Sequence, residues 1–188
     1  MAHSSAIQQA DAGLELSSDV DITEVPEGLW HVDPQGSEVA FTARGAWGLQ
    51  RVRGQFGAVD GVLVVDADSA SGELYIQAAS LDTGQEKRDA HLRSEDFFDA
   101  AAHPVITFSL LQLVAAAGGK LQMTGTLRIR DSELPITAPV QARRVAQDLL
   151  RLDTRVAVDR QAAGVGWSRM AMIRGKAHLA ATINLVLS

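Results

Sequence analysis

The chain has 188 residues, of which 46% are hydrophobic and 21% charged, and this composition is typical of one folded domain with room for a core or an internal cavity. It contains no cysteine, which excludes disulfide bonds, a thiolate nucleophile and a cysteine-ligated zinc site. The formal net charge of −6 gives the chain as a whole no attraction toward nucleic acid or an anionic membrane, so we expect no nucleic-acid partner.

The negative charge is concentrated at the N-terminus. Residues 1–28 contain six acidic residues and no Lys or Arg, whereas the remainder balances 17 acidic against 17 basic side chains. Such a segment predicts an acidic, flexible N-terminal extension, with a regulatory or docking tail as the alternative. We therefore expect an extension at 1–28 and a folded domain at 29–188.

The first 28 residues lack the basic and apolar regions of a secretory signal, and no later apolar run has the length of a membrane span. The sequence therefore predicts a cytoplasmic location and no membrane span.

From Leu29 onward, apolar and polar residues alternate with a period of two, which is typical of strands buried on one face. The alternation is clearest at 38–44, 72–80 and 120–130. Similar segments, separated by turn signals, are Leu29–Asp33, Val59–Asp68, Val105–Ala116, Leu134–Val145, Leu149–Asp159 and Lys176–Leu187.

These segments amount to eight or nine strands, the number found in small closed antiparallel barrels, whose interior holds side chains or one slender ligand. A two-sheet sandwich of the immunoglobulin type is the nearest alternative. The long strands, and a final strand able to pair with the first, favour the barrel. The sequence thus predicts an all-β fold with a short helical insert, arranged as a closed antiparallel barrel of about eight strands.

A charge-dense segment interrupts the strands. Gln85–Arg93 predicts a short helix and Glu95–Asp99 a further turn, with Phe97 and Phe98 as the apolar anchor. We expect this segment to cap one end of the barrel.

Two residues of this cap allow a catalytic and a structural interpretation. In a small hydrolase or isomerase, His91 would be a general base oriented by a carboxylate, with Ser94 or Thr83 as the nucleophile. In the structural interpretation, which we favour, Asp89 and His91 fix the helix to the barrel rim. The five histidines show no metal-binding spacing, so the sequence predicts no metal site.

Several motifs occur in a distinctive order. The most specific runs from Arg88 to Phe108 and reads RDxHL, then FFD, then Pro-x-Ile-x-Phe; others are LWHVDP (29–34), SEVAF (37–41), VRGQF (52–56), GTLRI (125–129) and DRQAAGVGW (159–167). In these residues the chain, over roughly 29–188, resembles the YceI-like family. The resemblance implies a lipocalin-like barrel that holds a polyisoprenoid or an isoprenoid quinone, with no catalytic triad and no other cofactor. It also suggests a homodimer.

A long isoprenoid chain exposes almost only apolar surface, so its site has to be an apolar tunnel. The expected function is therefore non-catalytic binding, transport or storage of a long apolar lipid. We predict that Trp167, Met170 and Met172 lie at the mouth of this tunnel. The full predicted lining is Phe41, Phe56, Leu63, Val65, Leu74, Ile76, Phe97, Phe98, Phe108, Leu110, Met123, Leu127, Ile136, Val156, Val158, Trp167, Met170, Met172 and Ile183.

Two alternatives remain open at this stage. The same apolar side chains could fill a solid core in a protein-interaction module that uses the acidic extension as its contact. Arg44, Arg51 and Arg53 are candidates for contacting a lipid phosphate at the barrel opening, because guanidinium groups match phosphate oxygens, whereas surface ion pairing is their other possible role.

Overall fold

The computed structural model describes residues 20–44, 51–116, 120–165 and 175–188. Within these ranges the helix α1 covers Glu86–Arg93, and two short 3-10 helices cover Ile22–Glu24 and Ala78–Ser80. The strands are β1 (Gly28–Val32), β2 (Glu38–Arg44), β3 (Arg51–Phe56), β4 (Val59–Val65), β5 (Ser69–Gln77), β6 (Leu81–Asp82), β7 (Val105–Ala116), β8 (Lys120–Ile129), β9 (Ser132–Ala146), β10 (Leu149–Asp159) and β11 (Lys176–Leu187).

The strands form one antiparallel sheet that closes on itself where β1 pairs with β11. The closed ring has the order β1, β4, β5, β7, β8, β9, β10, β11. β11 pairs with β1 near its C-terminus and with β2 at His178–Thr182, so β1 and β2 are two segments of one interrupted strand. β3 and β6 extend β4 and β5 in the same way. The predicted closed barrel of about eight strands with a helical insert is confirmed.

Alternating burial explains why these segments became strands. Along β8, buried residues at every second position from Leu121 to Ile129 alternate with exposed polar ones. β7 departs from this pattern because a bulge lies between Leu110 and Gln112, which leaves Leu111 65% exposed and returns Leu113 to the interior. The sequence pattern did not predict β3, where Gly54 and two arginines weaken the strand signal.

One end of the barrel is filled by side chains. Trp30 is completely buried, and Ile22 and Val25 from the preceding segment are buried beside it. The backbone N–H of Val20 also donates to the carbonyl of Ala142 in β9 at 2.9 Å. Residues 20–28, which the sequence assigned to the extension, therefore pack as part of the barrel domain.

The segment containing α1 covers the opposite end. The buried carboxylate of Asp89 accepts hydrogen bonds from the Thr83 backbone N–H at 3.0 Å and from the Thr83 hydroxyl. Arg88 donates to the same hydroxyl at 2.7 Å, and Arg130 in the β8–β9 turn donates to the Phe97 carbonyl at 2.9 Å. These bonds fix the cap to the strand ends, as the structural interpretation of Asp89 predicts.

Aromatic side chains fill the space below this cap. The Phe56 ring lies 5.8 Å from that of Phe41 and 5.6 Å from that of Phe98, the second pair edge to face. The Phe41 ring covers Gly54 on the adjacent strand, where a Cβ atom would lie 2.5 Å from Phe41 Cζ. A side chain at position 54 would displace this aromatic cluster.

Candidate functional site

Between the two covered ends, the barrel interior contains a cavity of about 140 Å³. Of the 22 residues that line it, only Glu73 and Thr154 have polar side chains. The Thr154 hydroxyl donates to the Pro139 carbonyl at 2.8 Å, and the Glu73 carboxylate accepts from the Tyr75 hydroxyl. Both polar groups are thus bonded to other residues, and the cavity presents an apolar wall.

The size of the cavity sets what it can hold without rearrangement. An apolar cavity of about 150 Å³ binds a benzene-sized molecule and otherwise stays free of water. Pockets for drug-sized ligands are larger, about 300–1,000 Å³. The described conformation therefore has room for a short piece of hydrocarbon, and a long chain has to widen it.

Several cavity residues are only half-buried although their side chains point inward. They include Leu110 on β7, Leu152 and Val156 on β10, and Leu179 on β11. Inward side chains in a solid core are normally almost completely buried. Their exposure shows that the cavity communicates with solvent.

The wall is interrupted between β9 and β10. These strands pair from Leu149 with Ala146 to Thr154 with Val140, and beyond this point β10 continues to Asp159 while residues 132–139 of β9 continue along β8. We call this interruption the β9–β10 slot. Cavity-lining residues lie on both of its sides, Ile136 on β9 and Val156 on β10.

Two prolines explain why β9 and β10 separate. The Pro139 carbonyl points toward β10, because it accepts the hydrogen bond from Thr154, and alternate residues of a strand direct their backbone groups to the same side. Pro135 and Pro139 therefore stand where N–H groups would face β10, and proline has none to donate. The sequence of β9 thus prevents continuous pairing along this edge.

The predicted lining is only partly the lining that the structure shows. The predicted residues that line the cavity are Leu63, Leu74, Ile76, Phe108, Leu110, Met123, Leu127, Ile136, Val156 and Ile183. Phe41, Phe56 and Phe98 belong instead to the aromatic cluster under the cap, and Phe97 packs against His91. Val65 and Val158 are buried elsewhere in the core. Trp167, Met170 and Met172 lie outside the described residues.

The sequence prediction missed twelve lining residues. Some were identifiable from strand alternation, because Leu179 and Ala181 have the same parity as Ile183, and Leu152 has the same parity as Val156. Leu113 was hidden by the bulge in β7. The others are Val32, Val39, Val62, Gly72, Glu73, Val140, Thr154 and Leu185.

Arg44, Arg51 and Arg53 do not line the cavity. They occupy the positions of β2 and β3 that alternate with the buried residues Phe41 and Phe56, so they lie on the outer face of the barrel. All three are exposed.

The catalytic candidates are held by structural contacts. The His91 side chain is 51% exposed and lies 3.4 Å from Asp96, with its ring edge to face against Phe97. The Thr83 hydroxyl is bonded to Asp89 and Arg88, and the Ser94 hydroxyl donates to the His91 carbonyl at 2.7 Å. Neither hydroxyl is placed as a nucleophile activated by the imidazole.

Among the residues that the structure describes, no group of three His, Asp or Glu side chains could hold a metal ion. The same part of the chain contains no helix with the length and apolar character needed to cross a bilayer.

A model of the YceI-like domain matches residues 30–185, which is most of the barrel. The chain belongs to the YceI-like family. This membership confirms the resemblance carried by the motif between Arg88 and Phe108.

Curated relatives of this YceI-like domain are bacterial UPF0312 proteins. One from Vibrio cholerae is 27% identical over 121 residues, covering 62% of this chain and 64% of the relative. One from Vibrio parahaemolyticus is 31% identical over 111 residues, covering 56% and 58%. The matched region is therefore less than two thirds of the length of these relatives.

Solved structures share the YceI-like fold. BcnA from Burkholderia cenocepacia superposes with a TM-score of 0.69 at 23% identity, covering 84% of this chain and 99% of BcnA. A polyisoprenoid binding domain from Saccharophagus degradans gives 0.70 at 15% identity, covering 85% and 98%. At these identities the similarity establishes the fold.

Proposed function

We propose that this domain binds a long apolar lipid, a polyisoprenoid or an isoprenoid quinone, inside the barrel and transports or stores it without covalent chemistry. The observation that carries the proposal is the apolar cavity inside the barrel. The description of the Saccharophagus degradans neighbour as a polyisoprenoid binding domain supports the same class of ligand.

The energetics favour a long chain over a small apolar molecule. Each buried methylene group contributes about 0.8 kcal/mol, whereas association costs at least about 4 kcal/mol. One isoprene unit therefore gives little net affinity, and several consecutive units are needed. This requirement matches a barrel interior whose apolar lining comes from nine strands.

Binding a long chain requires the cavity to widen beyond about 140 Å³. The half-buried side chains of Leu110, Leu152 and Leu179 have solvent on one side, so they can rotate without displacing packed neighbours. Met123, which also lines the cavity, adapts readily to irregular ligands. We propose that the chain enters through the β9–β10 slot, because both of its sides are lined by cavity residues.

The test fills the cavity from one strand position. Ala181 lines the cavity, whereas its neighbour Ala180 lies on the outer face of the same strand. We expect Ala181→Phe to reduce the affinity for a long-chain isoprenoid alcohol at least about tenfold, because the ring occupies the space of the ligand. Ala180→Phe adds the same volume outside and should retain binding.

Affinity is measured by tryptophan fluorescence titration, and lipid extracted from the purified protein is identified by mass spectrometry. A protein that purifies without lipid and gains no thermal stability from added isoprenoids would contradict the proposal and favour a protein-interaction module. Equal binding by both phenylalanine variants would place the ligand outside the cavity.

A further inference from the structure

Basic side chains are concentrated on the outer face of β10, β11, β2 and β3. Arg44 and Arg51 lie directly opposite each other, and the pairing of His178 with Thr42 places Lys176 in the same row. We call the whole set the basic face; its members are Arg44, Arg51, Arg53, Arg155, Arg160, Lys176 and His178.

The centre of the basic face is made of small residues. Ala40 and Thr42 on β2, Ala157 on β10 and Ala180 on β11 occupy neighbouring outward positions. Two surface depressions share Thr42 and His178, and basic side chains lie around them. Because the central side chains are small and the basic side chains surround them, the face can come into close contact with a broad surface.

Five of the seven basic side chains on this face have no ion-pair partner in the described part of the chain. Among the described residues, no ion pair involves Arg44, Arg51, Arg53, Arg155 or Lys176, whereas Arg143 and Arg151 on the adjoining surface share Asp153. The two segments that the sequence places next to these strands, 45–50 and 166–174, contain no Asp or Glu.

The carboxylate closest to the basic side chains on these strands, that of Asp159, accepts hydrogen bonds from its own turn. Asp159 pairs in register with Lys176, but its carboxylate accepts from the backbone N–H groups of Gln161 at 2.8 Å and Ala162 at 3.1 Å. Arg160 donates to the Gly175 carbonyl at 3.3 Å; burial lowers its pKa, and Asp159 partly opposes this effect. Arg44 and Arg51 are like charges directly opposite each other, and such pairs destabilise a sheet. An anion bound between them would reduce this repulsion.

The dimensions favour an extended anionic surface over a single ion. Four strands span about 14 Å, which is wider than one phosphate group. Within the described residues, no Phe, Tyr or Trp side chain points outward on this face to offer the stacking platform that single-stranded nucleic acid uses. An array of lipid headgroups matches both the width and the chemistry.

The basic face adjoins the β9–β10 slot. Residues 155–159 of β10 carry Arg155 on the outside, line the cavity with Val156 on the inside, and form one side of the slot. A bilayer in contact with the basic face would therefore lie beside the entrance to the cavity.

We propose that the basic face docks this domain onto a bilayer that contains anionic phospholipids. Its purpose, loading or unloading the lipid through the slot, rests on the proposed function. The docking itself needs no bound isoprenoid. The net charge of residues 29–188 does not indicate this basic face, because acidic side chains elsewhere on the barrel balance it.

The test measures co-sedimentation of the full chain with phosphatidylcholine vesicles, with and without phosphatidylglycerol and free of isoprenoids. We expect binding only to vesicles with phosphatidylglycerol, weakened by added salt. Replacing the three-residue row by Arg44→Gln, Arg51→Gln and Lys176→Gln should weaken binding about 100-fold, since each Lys or Arg near an anionic surface contributes about fivefold.

A matched control removes three exposed cations away from the basic face, by Lys87→Gln, Lys120→Gln and Arg128→Gln. It has the same net charge as the row variant and should lose less than about fivefold. Equal losses in both variants would show that only net charge matters and would overturn the proposal. The proposal is also overturned if the wild type binds vesicles with and without phosphatidylglycerol equally, or if it binds a DNA oligonucleotide as tightly as vesicles with phosphatidylglycerol in the same buffer.

The Ala181→Phe variant separates the two proposals. It should dock on these vesicles like the wild type, because the cavity takes no part in docking. If isoprenoid binding fails while docking persists, only the proposed function falls; if docking fails while Ala181→Phe still abolishes isoprenoid binding, only the basic-face proposal falls.

Discussion

The packed end and the hollow part of the barrel are built from the same strands, yet they differ in how their interior is filled. At the packed end, Ile22, Trp30, Val65 and Leu150 are at most 2% exposed. Farther along the same strands, inward residues such as Leu179 are half-buried around an empty space. Alternation of apolar and polar residues therefore specifies which side chains point inward. It does not specify whether inward side chains from opposite strands are in contact or leave a cavity between them.

Two local features produce the difference. At the packed end, the segment before β1 contributes Ile22 and Val25, and β1 contributes the indole of Trp30, and these side chains are buried in the core at that end. In the hollow part, Pro135 and Pro139 prevent pairing of β9 with β10, so the strands separate and the inward side chains stay apart. A tightly packed end and a hollow region can thus coexist in one sheet.

The largest expected effect is at the packed end. Trp30→Ala should lower the free energy of unfolding by about 3–5 kcal/mol, because it removes a fully buried aromatic side chain and leaves a cavity that its neighbours fill only in part. Urea denaturation monitored by circular dichroism measures the change.

The comparison variant for this prediction is Leu179→Ala in the hollow part. It should lose less than about 2 kcal/mol, since the leucine already borders an empty space and makes fewer contacts. Similar losses at both positions would contradict the distinction between a packed end and a hollow part.

The cap over the hollow part gives an intermediate effect. Asp89→Ala should cost about 1–3 kcal/mol, because the Thr83 N–H and hydroxyl lose a buried acceptor. The melting temperature should therefore fall. Unchanged melting temperature together with loss of a catalytic turnover would instead support an active site at His91.

A control for the cap is Asp96→Asn, which removes the exposed carboxylate beside His91 without touching Thr83. Exposed pairs of this kind contribute at most about 1 kcal/mol, so its melting temperature should stay close to that of the wild type.

The barrel was predictable from sequence because burial in its strands follows a period of two. In β8 and β9 nearly every second residue from Leu121 to Val140 is buried, and few folds accommodate so many such strands. The cap was predictable too, since its helix and aromatic anchor interrupt this pattern. β3 was missed because its outward positions are arginines and its interior contains Gly54.

The site was harder to predict because it depends on distances across the barrel. The same aliphatic residues can line a cavity or fill a core, and only their separation decides between them. The basic face unites Arg44 and Arg51 with Arg155 and Lys176, more than 100 residues apart in the chain, so no local pattern reveals it. Pro135 and Pro139 were visible signals for the slot, but their meaning required knowing which neighbour β9 faces.

The smallest effect is expected at the boundary between the two regions. Asp153 lies just before the pairing of β9 and β10 ends; it accepts hydrogen bonds from Arg143 on β9 at 2.8 Å and from Thr182 on β11 at 2.7 Å. Burial acts to raise the pKa of Asp153, but the hydrogen bond from Thr182 and the arginines outweigh it and lower the pKa below the ordinary 3.8. Its carboxylate therefore stabilises the joint of three strands.

The pH dependence follows from the sign of this shift. Because the folded-state pKa is lower than 3.8, the stabilisation is complete above that value and is lost as the pH falls through the folded-state pKa. Asp153→Asn should cost about 1 kcal/mol at neutral pH, and the difference from the wild type should shrink as the pH falls below about 4. Urea midpoints measured across this range test the prediction. A difference that stays constant with pH would show that packing, and not the charge of Asp153, holds β9 to β10 where the slot begins.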